Sequence, residues 1–456
     1  MRILDNNILY DQDITIDNLN KSLYGEVFTP YSLIKDMFCM FPIEVFKNKN
    51  LRWLDTGAGC GFFSIFLFHT LLISLYDEIP NYDERVKHII SNMIFMVEIN
   101  YDNCDKLRDI FGERANIYNI DFLDIKYGTK YDIIIGNPPY NINGYKKVPT
   151  NNILSKKQDG NMVWTYFIKA SINMLAEDGY LCYIVPNIWM KPDKLNMYDY
   201  MLNFKIEKIK CLTNTETNRY FKGNAQTPTC YFLLKNTNPD NIINIYDKSL
   251  QAYVPYSIEN RLPIPVFGIS IINKLLEYTK QYGNLKVIKT NMPKKHVTLS
   301  QIHSTDYPYQ NIKTCVLTRD TPTIIKEYSN FECPYCNIPK IVLAHKMYGF
   351  PYIDMGGIYG ISNRDNYVII NRTLEDMIKI KEFLSTKLAL YLFECTRYRM
   401  KYLEKYIFEL IPDITKIPNF PNNINDSTIA AFFNFSLDEI IGIKNLHKKD
   451  YKYPII

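Results

Sequence analysis

The sequence predicts an α/β protein: a doubly wound, mostly parallel sheet in the first half, followed by a smaller unit of mixed α+β character. Three observations carry this. Short apolar runs alternate with helical patterns from about residue 51 to residue 236, and such alternation builds parallel sheets. The first run, "LRWLDTGAGCGFF" (Leu51 to Phe63), passes through closely spaced glycines into an apolar helix. After Asn236 the alternation stops, and "KNTNPDNIINIYDKS" reads as polar and linker-like.

The elements follow in order. Leu51 to Asp55 begins the first strand, and "FSIFLFHTLLISLY" is the helix after the glycine turn. "MIFMVEIN" (Met93 to Asn100) is a second strand, with the amphipathic "DNCDKLRDIF" behind it. "ANIYNID" (Ala115 to Asp121) is a third strand and "YDIIIG" a fourth. "MVWTYFIKASINMLAEDG" is a helix with Gly179 as its stop. "YLCYIVP", "IEKIKCLTN" and "TPTCYFLLKN" are the fifth to seventh strands. In open α/β sheets ligands sit outside the carboxyl ends of the strands. Asp55, Glu98, Asp121 and Asn137 end four of these strands, so they should converge on one crevice.

The remainder bounds the function. The chain has 456 residues, 47% hydrophobic and 22% charged, with formal net charge +5. That is a core-forming, mildly basic composition, compatible with a polyanionic partner without requiring one. No run approaches the roughly 18 apolar residues of a membrane span, and no signal peptide is evident. The ten cysteines sit mostly in apolar runs, which suits buried free thiols in a reducing compartment. "CPYC" (Cys333 to Cys336) is half of a zinc site with no second half in sequence, so no metal is expected. No nuclease signature stands out.

The chemistry concentrates in "DIIIGNPPYN" (Asp132 to Asn141). An exocyclic amine of a nucleobase is a poor nucleophile, because its lone pair is delocalised into the ring. An enzyme that methylates it can accept hydrogen bonds from its N–H groups and hold the nitrogen in line with a methyl donor. The Asn137 side-chain oxygen is one acceptor. The Pro138 carbonyl, held rigid by the ring of Pro139, is a second. Tyr140 offers a flat face for a planar base. No cysteine stands beside these prolines, which argues against thiolate attack on C5 of cytosine. Upstream, the glycine turn lets the backbone approach a ligand, Glu98 can accept both hydroxyls of a ribose, and Asp121 can accept an exocyclic amine such as that of an adenosyl group.

With "GEVFTP" (Gly25 to Pro30) ahead of "DTGAGCG" and "NPPY" behind an apolar strand, the chain resembles the gamma-type adenine-N6 DNA methyltransferases of restriction–modification systems. The likeness covers roughly residues 20 to 240. It implies a Rossmann-like class I methyltransferase fold and S-adenosyl-L-methionine as cofactor. It implies cofactor contacts for Phe28, Thr29, Pro30, Asp55, Gly57, Gly59, Glu98 and Asp121, with Phe122 alongside. It also implies a flipped adenine held at Asn137, Pro138, Pro139 and Tyr140. "NRYFKGNAQTPTCYFLL" resembles the segment that supplies a second stacking aromatic. Phe221 is the choice, Tyr220 the runner-up, and plain core packing the other reading of Phe221. On this basis residues 1–240 form the catalytic domain and residues 241–456 a target-recognition, DNA-binding domain with a helical tail. The expected partners are double-stranded DNA and, where one exists, a cognate restriction endonuclease, with no membrane. The expected location is the cytoplasm of a bacterium, or a phage or viral setting that includes a cytoplasmic virus factory.

Four lysines after the motif, Lys146, Lys147, Lys156 and Lys157, either grip phosphates or form a solvated loop. In the second half, "LEDMIKIKEFLSTKLALYLFECTRYRMKYLEKYIFELI" predicts one long helix carrying Arg397, Arg399, Lys401 and Lys405. Hairpin turns holding Asn363, Arg364 and Asn366 either read bases or are ordinary turns. NPPY also serves enzymes that methylate an RNA base or a protein glutamine amide, so those substrates stand as the alternative. A degenerate methyltransferase fold kept as a binding module is a third reading, against which the intact motif set counts.

Overall fold

The computed structural model describes residue 3 and residues 27–125, 128–141, 162–193, 196–223, 225, 227–259, 261–318, 321–345, 351–399 and 403–446. The chain divides into two compact units, Met1–Asn244 and Ile245–Ile456.

The first unit is built on strands β1 (Trp53–Asp55), β2 (Ile94–Glu98), β3 (Asn116–Asn119), β4 (Tyr131–Gly136), β5 (Leu175–Pro186), β6 (Lys205–Leu212) and β7 (Thr229–Lys235). Their order is 3-2-1-4-5-7-6. β3, β2, β1, β4 and β5 run parallel, and β7 lies antiparallel to both β5 and β6. This is the Rossmann-like sheet of class I methyltransferases, with the single reversed strand beside β5. β1, β2 and β7 are buried along almost their whole length, as a sheet covered on both faces requires.

Alternate residues build the core. Ile133 and Ile135 of β4, Cys182 and Ile184 of β5, and Tyr231 and Leu233 of β7 share one cluster with Leu33, Ile34, Met37 and Phe38 of the Tyr31–Phe38 helix and Phe68 and Leu71 of the Phe62–Ser74 helix. That is the period-2 pattern of one sheet face against 3.6-period helix faces.

Gly179 does not end a helix. The helix is Trp164–Met174, and Leu175 already opens β5. The strand register slips between Tyr131 and Ile133, where residues 176–179 loop out, with Asp178 at φ 59°. A Cβ on Gly179 would lie 2.7 Å from the Asp132 carbonyl oxygen, so close approach of two strands calls for this glycine.

After β8 (Ile242–Asp247) and β9 (Ala252–Ser257), the second unit holds two four-stranded sheets. One contains β10 (Ile288–Lys289), β14 (Lys340–Ala344), β15 (Tyr352–Asp354) and β17 (Asn366–Ile369); the other contains β11 (Leu299–Ser300), β12 (Tyr309–Thr318), β13 (Thr321–Ser329) and β16 (Gly360–Ile361). The expected long helix is two, Leu374–Leu384 and Lys387–Cys395. Thr386 breaks it: its extended backbone starts a new helix and its side chain accepts the Ala389 amide, an N-cap in mid-pattern. Arg397 and Arg399 fall beyond the second helix, Arg397 pairing with Glu394 at 2.9 Å; Lys401 lies outside the described residues. The small helix Asp426–Phe432 is capped by Asn425 through a capping box.

Candidate active site

β1, β2 and β4 bring their last residues to the same edge of the sheet. Asp55 ends β1, is 2% exposed, and accepts the Ser64 hydroxyl at 2.9 Å. Burial pushes its carboxyl up to about 7, against the pull of the Ser64 hydroxyl and the Gly57 amide. The chain then turns through the glycines. Gly61 sits at φ 90° as the helix N-cap, and a Cβ there would lie 2.8 Å from Leu107 Cδ2. That conformation and that contact leave room for glycine alone. Gly57, in contrast, faces open space: a Cβ there would meet nothing within 4 Å.

Glu98, at the end of β2, ties this turn to the next strand. Its Oε2 accepts the Gly59 amide at 2.7 Å and its Oε1 accepts the Asn100 amide at 2.8 Å. Asp121, beyond β3, accepts the Leu123 amide at 2.9 Å and caps the short helix Phe122–Asp124. Phe122 is buried with its ring 5.1 Å from that of Phe167. Sequence reasoning passed over Ile99, which follows Glu98 directly and is 48% exposed. The signal was an apolar residue standing just past a strand-ending acid.

The NPPY corner is fastened from two sides. Asn137 Nδ2 donates to Thr29 Oγ1 at 3.1 Å, and Thr29 is buried. Asn137 Oδ1 is buried and has no hydrogen-bond partner. The Tyr140 carbonyl accepts the Val163 amide at 3.1 Å, and Asn141 bridges Met162. The Tyr140 hydroxyl is buried without a partner, and burial drives its ionisation well above the ordinary phenol range. Phe28 packs 5.4 Å from Phe62, ring to ring. Pro30 caps the Tyr31–Phe38 helix with its carbonyl, which accepts the Leu33 and Ile34 amides.

Beneath this corner lies a polar network absent from the sequence reading. The Tyr183 hydroxyl bonds Thr56 Oγ1 at 2.5 Å and Ser171 Oγ at 2.6 Å. Gly136 sits above it at φ 151°, where a Cβ would come within 3.2 Å of Thr56 Oγ1.

Phe221 differs from the expectation of a stacking face. It is 2% exposed and belongs to the apolar cluster of the first unit, because it follows the Asn214–Tyr220 helix on its inward side. Tyr220 is partly buried, with the Arg219 guanidinium 5.6 Å from its ring centre. Lys146, Lys147, Lys156 and Lys157, like Gly25 and Glu26, lie outside the described residues. In the second unit Asn366 is fully buried and donates to the Lys313 carbonyl at 2.9 Å, so it holds strands together and sits on no exposed tip. Arg364 is exposed. Cys333 is buried beside the Ser329 hydroxyl at 3.7 Å. Among the described residues no group of three or more His, Cys, Asp or Glu is placed to hold a metal, and no helix is long and apolar enough to cross a membrane.

Acidic strand ends around an open glycine turn suit a ligand that carries positive charge and hydroxyl groups, as S-adenosylmethionine does. Residues 63–221 match the family described as Eco57I restriction-modification methylase. The type II methyltransferase M.AccI of Acinetobacter calcoaceticus is 25% identical over 289 residues, 57% of this chain and 49% of that protein. The modification methylase CviBIII of Paramecium bursaria Chlorella virus NC1A is 29% identical over 181 residues, 39% of this chain and 41% of that protein. The solved structure of the type IIL restriction-modification enzyme MmeI in complex with DNA is similar at TM-score 0.45 and 13% identity, over 86% of this chain and 69% of that one. The chain spans less than half the length of the curated relatives it matches. Residues 63–221 thus carry the sequence pattern of an Eco57I-type restriction-modification methylase, on a class I methyltransferase sheet for which S-adenosylmethionine is the expected cofactor.

Proposed function

We propose that this chain methylates DNA, and that its target is the N6 amine of an adenine turned out of the duplex. The observation that carries the reading is the state of Asn137. Its amide nitrogen is tied to Thr29 Oγ1, and its Oδ1 is a buried acceptor with no partner. An acceptor held in place and left unpaired is what an incoming N–H group needs. S-adenosylmethionine, when bound, supplies an electrophilic methyl. The chain's own residues do the rest.

Asn137 Oδ1 and the Pro138 carbonyl accept the two N–H bonds of the amine. This draws its lone pair out of the ring and aims it, which is catalysis by position and fixed dipoles. The methylated nitrogen then gives its surplus proton to water, since neither amide oxygen is basic enough to keep it. Tyr140, held through its carbonyl by the Val163 amide, gives the base a ring to lie on. Tyr220, with Arg219 beside it, is the more accessible of the two candidates for the opposite side; Phe221 serves only if it leaves its cluster. Glu98 and Asp121 hold the ribose and adenine of the cofactor, Asp55 and the Gly57–Gly59 turn line its path, Phe122 backs its adenine, and Phe28, Thr29 and Pro30 wrap its methionine end. The exposed Ile99 gives the cofactor's purine an apolar contact. The second unit supplies target recognition, and a restriction endonuclease is the partner class that such an enzyme protects against.

The test is Asn137→Ala. Turnover should fall at least about a hundredfold, the usual effect of removing one preorganised polar group at a reacting centre. Cofactor affinity by calorimetry should stay within about twofold. An active Asn137→Ala enzyme, or one that is folded and no longer binds cofactor, would overturn these roles.

A further inference from the structure

Two neighbouring strands of the sheet end the same way. β4 closes with Gly136 and then Asn137; β5 closes with Pro186 and then Asn187. The strands are parallel with Gly136 opposite Tyr183. Counting on from that pair, Asn187 stands four residues past Tyr183, as Tyr140 stands four past Gly136. The side of β5 that Tyr140 approaches is also known. The Tyr140 phenol lies near the Cys230 thiol, and Cys230 pairs with Val185, two residues before Asn187. The ladder itself stops at Gly136 and Tyr183, and Asn187 lies beyond it near the Tyr140 end of the NPPY corner.

Its side chain is in an unusual state. Asn187 is 1% exposed, and its Oδ1 is buried without a partner. The backbone is well fixed, since the Asn187 amide donates to the Pro228 carbonyl at 3.0 Å and Pro186 pairs with Thr229 at the start of β7. With the backbone fixed and the side chain 1% exposed, the acceptor does not reach water. Burying an acceptor with nothing to accept is a standing cost, and a leucine of similar volume would avoid it. The motif residues do not use Asn187: the methyl-transfer chemistry rests on Asn137 and Pro138, and the cofactor lies toward β1, β2 and β3.

We propose that Asn187 is a further substrate-contacting residue, whose carboxamide meets the polar edge of the target base beside Asn137. The chemistry fits an aminopurine. With the two N–H bonds held by Asn137 and Pro138, Oδ1 shares one of them as a second acceptor and repels the keto oxygen that guanine or thymine would place there, while the carboxamide nitrogen can donate to a ring nitrogen of the base. A site built to hydrogen-bond a group rejects analogues lacking it far more strongly than an apolar pocket does. This rests on the proposed adenine methylation.

The experiment compares full-length wild type, Asn187→Leu and Asn187→Asp on unmethylated genomic DNA with labelled S-adenosylmethionine. N6-methyladenine is counted after nucleoside digestion, and thermal unfolding and cofactor affinity are measured alongside. Asn187→Leu should unfold at the same or a higher temperature, bind cofactor as wild type does, and lose at least about tenfold in kcat/KM, the effect of one missing contact to the reacting base. Asn187→Asp, which keeps an acceptor in place, should retain more activity than the leucine variant. Full activity in Asn187→Leu would make the unpaired oxygen a tolerated defect and overturn the proposal. So would equal losses in both variants, or a leucine variant that unfolds early and drops the cofactor. If wild type itself places no methyl on adenine while Asn187→Leu remains folded, the adenine reading has failed and this inference falls with it.

Discussion

Asn137 Nδ2 lies 3.1 Å from Thr29 Oγ1, across 108 positions of sequence. One hydrogen bond thus joins the corner proposed to meet the target amine to the segment proposed for the cofactor's methionine end. Thr29→Val keeps the shape and removes the bond, leaving the Asn137 amide free to turn over. Turnover should drop about tenfold to a hundredfold, the scale of a small misplacement at a reacting centre, with a smaller change in cofactor affinity. Single-turnover methyl transfer set beside calorimetry separates the two.

Asp55 predicts a pH dependence. Burial raises its carboxyl to about 7, so the folded protein holds a proton there that the unfolded chain gives up near the ordinary 3.8. Between these limits the native state binds more protons, and stability falls as pH rises. The contribution is present in full below about 4 and lost as pH passes 7. A cationic cofactor selects the ionised form, so its affinity should rise with pH, by at most about tenfold per unit below 7, and level off above. Titrations between pH 6 and 8.5 should show this slope in wild type and a flat response in Asp55→Asn.

Gly136→Ala forces a methyl group to within 3.2 Å of Thr56 Oγ1 at a backbone angle that alanine resists. A loss of about 1–3 kcal/mol is expected from strain of this kind, together with a displaced Asn137 next door and reduced turnover. Chemical denaturation and methyl-transfer rates on the same sample check both.

In the second unit Lys340 and Asp354 form a fully buried ion pair at 2.6 Å. Lys340 also donates to the Tyr335 and Ile338 carbonyls, and Asp354 accepts the Ile358 and Tyr359 amides. The pair pins two loops, one of them carrying Cys336. Lys340→Met strands the carboxylate, and a loss of about 3–5 kcal/mol follows from breaking a buried pair on one side only. Thermal unfolding of the full chain measures it; an unchanged midpoint would contradict the assignment.

The strands were legible because their apolar runs are short and end in polar residues: "YDIIIG" is β4 residue for residue. Long-range pairing was not. The antiparallel place of β7, the looped-out segment before Tyr180, and the Tyr183 network depend on register between distant segments. Periodicity could not see the break at Thr386, since the apolar stripe runs through it, although a threonine cap is its local mark. Phe221 shows the limit for single aromatics. Its neighbours in sequence are mostly polar, and only the packed structure reveals that its ring points into the cluster. Asn366 fails the same way, a polar residue that bonds strands together from inside.

Methyl transfer to N6 of adenine in DNA is tested most directly by offering labelled S-adenosylmethionine and the full chain to unmethylated genomic DNA, total RNA and a protein extract in parallel, then digesting each product to nucleosides or amino acids. N6-methyladenine in the DNA is the expected product. Label confined to RNA or protein, or found on cytosine, would contradict it.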